Sequence, residues 1–217
     1  MTAAGGGFEF YGSERQLRRL HARFVRFLDD GPRDLPILDL GCGTGVFLEL
    51  LRERGRCARG VEIAPEAIAE CRRKGLDVTQ ADVLEFLLAQ AEGSYAGTYC
   101  SHVIEHCDYD RACRLLEAAH RALATRARMI VVTPNPASLA VISEIFWLDP
   151  THVRPYPRLL LERMMARAGF EVVAAGQVDT PGLPRRQLLR RLWLRLMLGS
   201  HYRGMNAFVV GAKTPGP

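Results

Sequence analysis

Ile37-Leu38-Asp39-Leu40-Gly41-Cys42-Gly43-Thr44-Gly45 reads as a short buried strand running into a glycine loop, with a helix from Val46 to Arg54 behind it. Glycines accept positive φ and let a ligand press against backbone where a Cβ would otherwise stand. Working outward, strands and helices alternate. Ala58 to Glu62 reads as a strand, Pro65 to Lys74 as a helix with proline in its favoured first turn, Leu76 to Gln80 as a strand and Val83 to Ala91 as a helix. Gly97–His102, Arg128–Thr133, Phe170–Val178 and Ala207–Ala212 are expected strands, and Tyr109–Thr125 and Pro157–Ala168 expected helices; Ala137 to Tyr156 has no clean period. Ser13 to Leu28 reads as an N-terminal helix capped by Ser13, with Leu17, Leu20, Phe24 and Phe27 or Leu28 on one face and arginines on the other. Such alternation predicts an α/β fold with a mainly parallel sheet covered on both faces, binding its ligand at the carboxyl ends of the strands.

The loop is informative because of its surroundings. Glu62 closes the next strand 21 residues after Gly41, near the spacing at which a carboxylate meets a ribose diol. A dinucleotide fold prefers a third glycine three residues after the second, where this chain has Val46. Here the third glycine is Gly45 and Asp39 precedes the loop, an acid that suits a ligand carrying a positive amino group rather than phosphates.

Composition narrows the classes. The chain has 217 residues, 48% hydrophobic and 24% charged, which suits a single domain over residues 1–217. No apolar stretch approaches the ~20 residues of a membrane span, and the N-terminus lacks a signal-peptide pattern, so a cytoplasmic protein is expected. Cys42, Cys57, Cys71, Cys100, Cys107 and Cys113 form no CxxC pair and read as free thiols. The net charge of +5 is local: residues 180–217 hold seven basic residues and no acid.

ILDLGCGTG at 37–45 resembles the first motif of the class I S-adenosylmethionine (SAM)-dependent methyltransferases; VEIAPEAI resembles their acidic ribose loop, and QADVLEFL supplies Asp82. The resemblance implies a Rossmann-like fold with a seven-stranded, mostly parallel sheet, SAM as cofactor and S-adenosylhomocysteine as product. It implies that Asp39, Gly41, Gly43 and Gly45 line the aminocarboxypropyl and ribose portions and that Glu62 binds the ribose hydroxyls. Ile63 and Val83 would flank the adenine, Asp82 would lie near its amino group, and Ser101 would face the same edge. A narrower resemblance, to bacterial polysaccharide and O-antigen-type sugar O-methyltransferases, rests on Tyr11-Gly12-Ser13-Glu14, SHVIEH at 101–106, TPNP at 133–136 and FWLDPTHVRPYP at 146–157.

A sugar hydroxyl is a poor nucleophile while protonated, so a base should assist methyl transfer. His106 follows the fourth strand and His152 the fifth, and Asp149 stands three residues before His152, where it could orient the ring or act as base. Tyr11, Asn135, Trp147, Arg154 and Tyr156 are candidate acceptor contacts. His106 and His152 with Asp149 or Glu105 could ligate Mg²⁺ or Mn²⁺, but their spacing specifies no geometry and no metal is assigned. His21, His102 and His120 receive no chemistry. Arg185 to Leu198 reads as a basic amphipathic helix inserted before the last strand, suited to packing or homodimerisation, to an acceptor lid or to membrane-surface contact. The expected activity is O-methylation of a saccharide or glycan precursor. The alternative is a small molecule such as a quinone or polyketide. Nucleic acid is not an expected partner, since no aromatic platform accompanies the arginines.

Overall fold

The computed structural model describes residues 13–179, 193, 196, 197 and 204–215. Its elements run α1 (Glu14–His21), β1 (Ile37–Leu40), α2 (Val46–Glu53), β2 (Ala58–Glu62), α3 (Pro65–Arg73), β3 (Val78–Gln80), α4 (Val83–Leu88), β4 (Tyr95–Ser101), α5 (Tyr109–Ala122), β5 (Leu123–Pro134), α6 (Leu139–Ser143), α7 (Arg158–Arg167), β6 (Glu171–Val178) and β7 (Asn206–Ala212). They build one seven-stranded sheet in the order β3-β2-β1-β4-β5-β7-β6. β1 pairs in parallel with both β2 and β4, and β7 is antiparallel to its neighbours β5 and β6. The strand order therefore reverses between β1 and β4, which places the ligand edge at the end of those two strands. Among the described residues no helix is long and apolar enough to cross a membrane.

Alternation along the strands explains why both sheet faces are covered. Leu38, Leu40, Met129 and Val131 are buried on one face with Leu115 and Leu116 of α5 and Met164 of α7. Ile37, Tyr99, Ile130 and Val132 are buried on the other with Leu20, Phe24, Phe47 and Leu50. On that second face Phe47 and Tyr99 stack at 3.9 Å between ring centroids.

Two expectations need correction. The N-terminal helix does not run from Ser13 to Leu28. Ser13 does cap it, its N–H donating to Gln16 Oε1 at 2.9 Å, but α1 ends at His21 and a 3₁₀ turn covers Val25–Leu28. The backbone shifts to i→i+3 bonding at Arg23 and Phe24, and Val25, absent from the expected apolar stripe, is fully buried beside Phe24 and Leu28. The segment between β5 and α7, expected to be irregular, contains α6 and a 3₁₀ turn at Ile145–Leu148. The basic helix expected at 185–198 lies outside the described residues except for Trp193, Leu196 and Met197, which are helical and exposed.

Burial of α1 brings one titratable group inside. His21 Nδ1 hydrogen-bonds the Tyr99 hydroxyl at 2.7 Å, and burial, reinforced by the charge of His102, lowers its pKa from 6.5 to about 3. The unfolded chain thus binds this proton between about pH 6.5 and 3 while the native chain does not. Stability should fall as pH drops below about 6.5, by at most ~1.4 kcal/mol per pH unit from this group. Denaturant midpoints measured down the pH scale should decline less steeply for His21→Asn than for the wild-type chain, and equal slopes would exclude the effect.

Candidate active site

The cofactor side grows from the glycine loop. Gly41, Gly43 and Gly45 have φ of 69°, 52° and 84°, a region that disfavours side chains. A Cβ at Gly41 would lie 2.4 Å from Val103 Cγ2, and one at Gly45 2.3 Å from Leu76 Cδ1. The loop is thus pressed against the chain that leaves β4 and against the approach to β3. Glu62 fixes its shape from β2: one carboxylate oxygen accepts from Gly43 N at 2.9 Å, the other from Ile63 N at 2.8 Å and Ala64 N at 3.0 Å. Beside it Ile63 is 66% exposed, a large apolar surface next to a carboxylate at the ligand edge.

Asp39 is buried at the centre of the sheet, and that burial, with Cys71 and Glu62 close by, pushes its carboxyl well above the usual range. Asp82 caps α4, accepting from Leu84 N and Glu85 N at 3.0 and 3.1 Å, and its second oxygen pairs with Arg111. Val83 follows half-buried, and Ser101 Oγ lies beside the Tyr99 hydroxyl. Asp39, the three glycines, Glu62, Ile63, Asp82, Val83 and Ser101 therefore all fall on the ends of β1, β2 and β4 or on the turns after β1, β2 and β3.

A cavity opens next to this edge, lined by Leu17, Leu20, Val141, Ile145, Phe146 and Met205, with His102, Asp149, His152 and Asn206 as its polar members. The 146–157 segment that supplies two of these polar groups is tied down by Glu105, whose carbonyl accepts from Val153 N at 2.8 Å and Arg154 N at 3.2 Å. The Glu105 side chain is fully buried and accepts from His102 Nδ1 at 3.1 Å and Thr133 Oγ1 at 3.0 Å. Burial alone would raise its carboxyl, but the bond and charge of His102, its own N–H and nearby His106 hold it below the usual value.

Hydrogen bonding fixes the ring nitrogens of both candidate histidines. His152 Nδ1–H donates to Phe146 O at 2.6 Å, so Nε2 carries the lone pair. That nitrogen is buried with no hydrogen-bond partner; Asp149 Oδ2 stands 3.9 Å away. His106 Nδ1–H donates to Thr151, with Oγ1 at 2.9 Å and the carbonyl at 3.2 Å, while Thr151 Oγ1 donates to Asp149 Oδ1 at 2.6 Å. The His106 and His152 rings lie 4.8 Å apart. Burial would raise the Asp149 carboxyl, but the Thr151 hydrogen bonds and the two imidazoles outweigh it and hold it low.

The structure thus brings His106, Asp149 and His152 together but disperses the expected acceptor contacts. Tyr156 is fully buried and its hydroxyl donates to the carbonyls of Cys107 and Asp108, each at 2.9 Å, so it braces the turn into α5 instead of facing a ligand. Asn135 is buried with its amide committed to backbone, Nδ2 donating to Gly204 O at 2.7 Å and Oδ1 accepting from Ala137 N at 3.1 Å. The Arg154 guanidinium lies over the Tyr109 and Tyr156 rings at 5.6 and 5.2 Å. Trp147 is 60% exposed, its Nε1 donating to Ile142 O at 2.7 Å, and it is absent from the cavity wall, which its neighbour Phe146 joins. Tyr11 lies outside the described residues.

His102 is the residue that the sequence reading passed over. Its φ of 56° is unusual for a side chain with a Cβ, and it stands in the cavity wall directly after β4. Its position at a strand end, three residues before Glu105, was the available signal.

The comparisons agree with this geometry. The family model described as "Methyltransferase domain" matches residues 11–175, and the chain belongs to that family. Fold and family together define a class I SAM-dependent methyltransferase, with SAM as the cofactor. The crystal structure of a SAM-dependent methyltransferase from Archaeoglobus fulgidus superposes with a TM-score of 0.79 at 25% identity, covering 94% of this chain and 96% of that one. The ubiquinone biosynthesis O-methyltransferase of Xanthomonas oryzae pv. oryzae is 30% identical over 112 residues, 48% of this chain and 46% of its own length. Its counterpart in Xylella fastidiosa is 31% identical over 104 residues, 46% of this chain and 42% of its own length. The chain spans about half the length of these relatives.

Two substitutions separate bracing from binding. Glu62→Ala should weaken SAM binding by an order of magnitude or more in calorimetry, and unchanged affinity would remove Glu62 from the cofactor site. Tyr156→Phe should cost about 1 kcal/mol of stability, the ordinary worth of one hydrogen bond, and leave turnover unaltered.

Proposed function

We propose that this chain transfers the methyl group of SAM to a hydroxyl oxygen of a small, largely apolar molecule seated in the cavity beside β4. The carrying observation is the junction of an apolar wall with the buried, unpartnered Nε2 of His152. Bound SAM would supply a sulfonium methyl open to in-line displacement by oxygen. Gly41, Gly43 and Gly45 would admit its amino-acid and ribose portions, Asp39 would meet its ammonium group, Glu62 its ribose hydroxyls, and Ile63 and Val83 its adenine. A cation beside Asp39 offsets the proximity of two carboxylates in a buried setting, which is one reason the residues fit this ligand.

On the acceptor side, the apolar wall would exclude water from the reacting hydroxyl, while the His152 Nε2 lone pair would meet its O–H and ease removal of the proton. Asp149, held low by Thr151, would stabilise positive charge arising on the ring. His106 would hold the Asp149 segment through Thr151.

Between acceptor classes, two observations support a small molecule. The cavity wall is mostly apolar, and Asn135 and Tyr156, the candidate contacts for a sugar's hydroxyls, are committed to backbone. The ubiquinone biosynthesis O-methyltransferases, similar to this chain over about half their length, point the same way. A saccharide acceptor is therefore the second reading, carried by the exposed Trp147 ring at the edge of the segment.

The test is a mass-spectrometric screen of hydroxylated aromatics and saccharides for gain of one methyl. Aromatic acceptors should be methylated in preference, and methylation of saccharides alone would reverse the order. With any accepted substrate, His152→Ala should lower turnover by roughly 10²- to 10⁴-fold while SAM affinity stays constant.

A further inference from the structure

We infer that Glu105, His106 and His152 form a binding site for one divalent transition-metal ion at the inner end of the acceptor cavity. The inference rests on the proposed methyl transfer to a hydroxyl and specifies how that hydroxyl is activated. One ligand atom from each of the three residues lies within 4.8 Å of the other two, and among the described residues no other group of three or more His, Cys, Asp or Glu side chains meets this condition. Three atoms bound tetrahedrally to a common ion at about 2.1 Å lie ~3.4 Å apart, so the three would draw together by roughly 1 Å on binding, within reach of side-chain rotation.

The hydrogen bonds around the group point to a cation independently of the clustering. Both histidines donate Nδ1–H to the protein, His152 to the Phe146 carbonyl and His106 to Thr151, which leaves both lone pairs on Nε2. Metal-binding imidazoles are oriented in this way, the far nitrogen held by a carbonyl or carboxylate. The His152 side chain is 4% exposed, and its Nε2 has no hydrogen-bond partner, a costly arrangement for a buried acceptor unless something else meets it. Glu105 is fully buried, and its carboxyl group keeps acceptor capacity beyond the bonds from His102 and Thr133.

Two imidazoles with one carboxylate suit Mn²⁺, Fe²⁺, Co²⁺ or Zn²⁺ better than Mg²⁺ or Ca²⁺, which prefer oxygen alone. Three protein ligands leave positions open, so the ion would take two neighbouring oxygens of the acceptor. The substrate class is accordingly a compound with adjacent oxygen functions, such as an aromatic or aliphatic vicinal diol. The ion would stabilise the alkoxide or phenoxide, the proton leaving to solvent. The oxygen then forms its bond to the methyl carbon as the carbon–sulfur bond of SAM breaks, giving the methyl ether, S-adenosylhomocysteine and one released proton. His152 acts here through the ion instead of as a free base.

The test begins with full-length protein stripped by chelator and titrated with Mn²⁺ in calorimetry and with Co²⁺ by visible absorption. One ion per chain should bind, with the strong d–d absorption of a four- or five-coordinate Co²⁺ site. His106→Gln and His152→Gln should each weaken Mn²⁺ binding by at least tenfold while SAM affinity is retained; Glu105→Gln, a buried change, is read only if its circular dichroism matches wild type. Mn²⁺ uptake equal in wild type and in the His106→Gln/His152→Gln double variant would overturn the site. Methylation undiminished by chelator would overturn its role at the hydroxyl and leave methyl transfer standing. Tight, histidine-dependent Mn²⁺ binding with no methylation of any hydroxyl would support the site and count against the methyl-transfer reading instead.

Discussion

The acceptor half of this molecule depends on one buried carboxylate. Glu105 stands where β4 gives way to α5, and no part of it meets solvent. Its side chain joins His102 after β4 to Thr133 at the end of β5, and its carbonyl holds Val153 and Arg154 of the segment that follows α6. A buried anion is tolerated only when its lone pairs are met, and truncating such a group strands its partners. Here one partner, His102, stands in the cavity wall, and the carbonyl ties down the segment that brings Phe146, Asp149 and His152 to it. One residue thus links the end of β4, the end of β5 and the loop that carries Asp149 and His152.

The cofactor half uses a more local device. Three consecutive odd-numbered positions from 41 to 45 take left-handed backbone, and Glu62 answers the Gly43 N–H from one strand away. Local devices are legible in a sequence. Glycine spacing, the acid at the end of the second strand and Asp82 before an apolar run each carry their conformation in residue type, and these elements stand where the sequence placed them. The seven strands were legible for a related reason, since alternating and continuous apolar runs report burial on two faces without knowledge of partners. Boundaries were less so: β5 begins at Leu123, directly from α5, where the sequence reads as helix to Thr125 and as strand only from Arg128.

The acceptor half was legible only in part, because much of its chemistry arises from contacts across 28 to 69 residues of chain. Residue type made Asn135 and Tyr156 credible ligand contacts, yet their polar atoms are taken by Gly204, Ala137, Cys107 and Asp108. A sequence reports that a side chain can hydrogen-bond but not whether a carbonyl already occupies it. The same limit concealed His102, whose positive φ appears only once β4 has turned against Val103 and the glycine loop. His106 and His152 were nominated by position, but their tautomers follow from Thr151 and Phe146, neither of which a motif would suggest.

The two halves also differ in what they lack. The glycine loop and Glu62 satisfy one another and hold their shape through their own hydrogen bonds. The histidine cluster is organised around an absence, since Nδ1 of each ring is fixed while His152 Nε2 is buried without a donor. Leaving a buried acceptor unmet costs about 1–3 kcal/mol. Flipping the ring does not escape that cost, since it would give up the Nδ1 bond to the Phe146 carbonyl. The strain is therefore recovered only when a proton donor or a cation arrives from the cavity. Under the proposed methyl transfer that would make the site selective before any chemistry occurs: an apolar molecule without a hydroxyl would gain the wall contacts but leave the nitrogen stranded, whereas one presenting oxygen at that depth would relieve both terms at once.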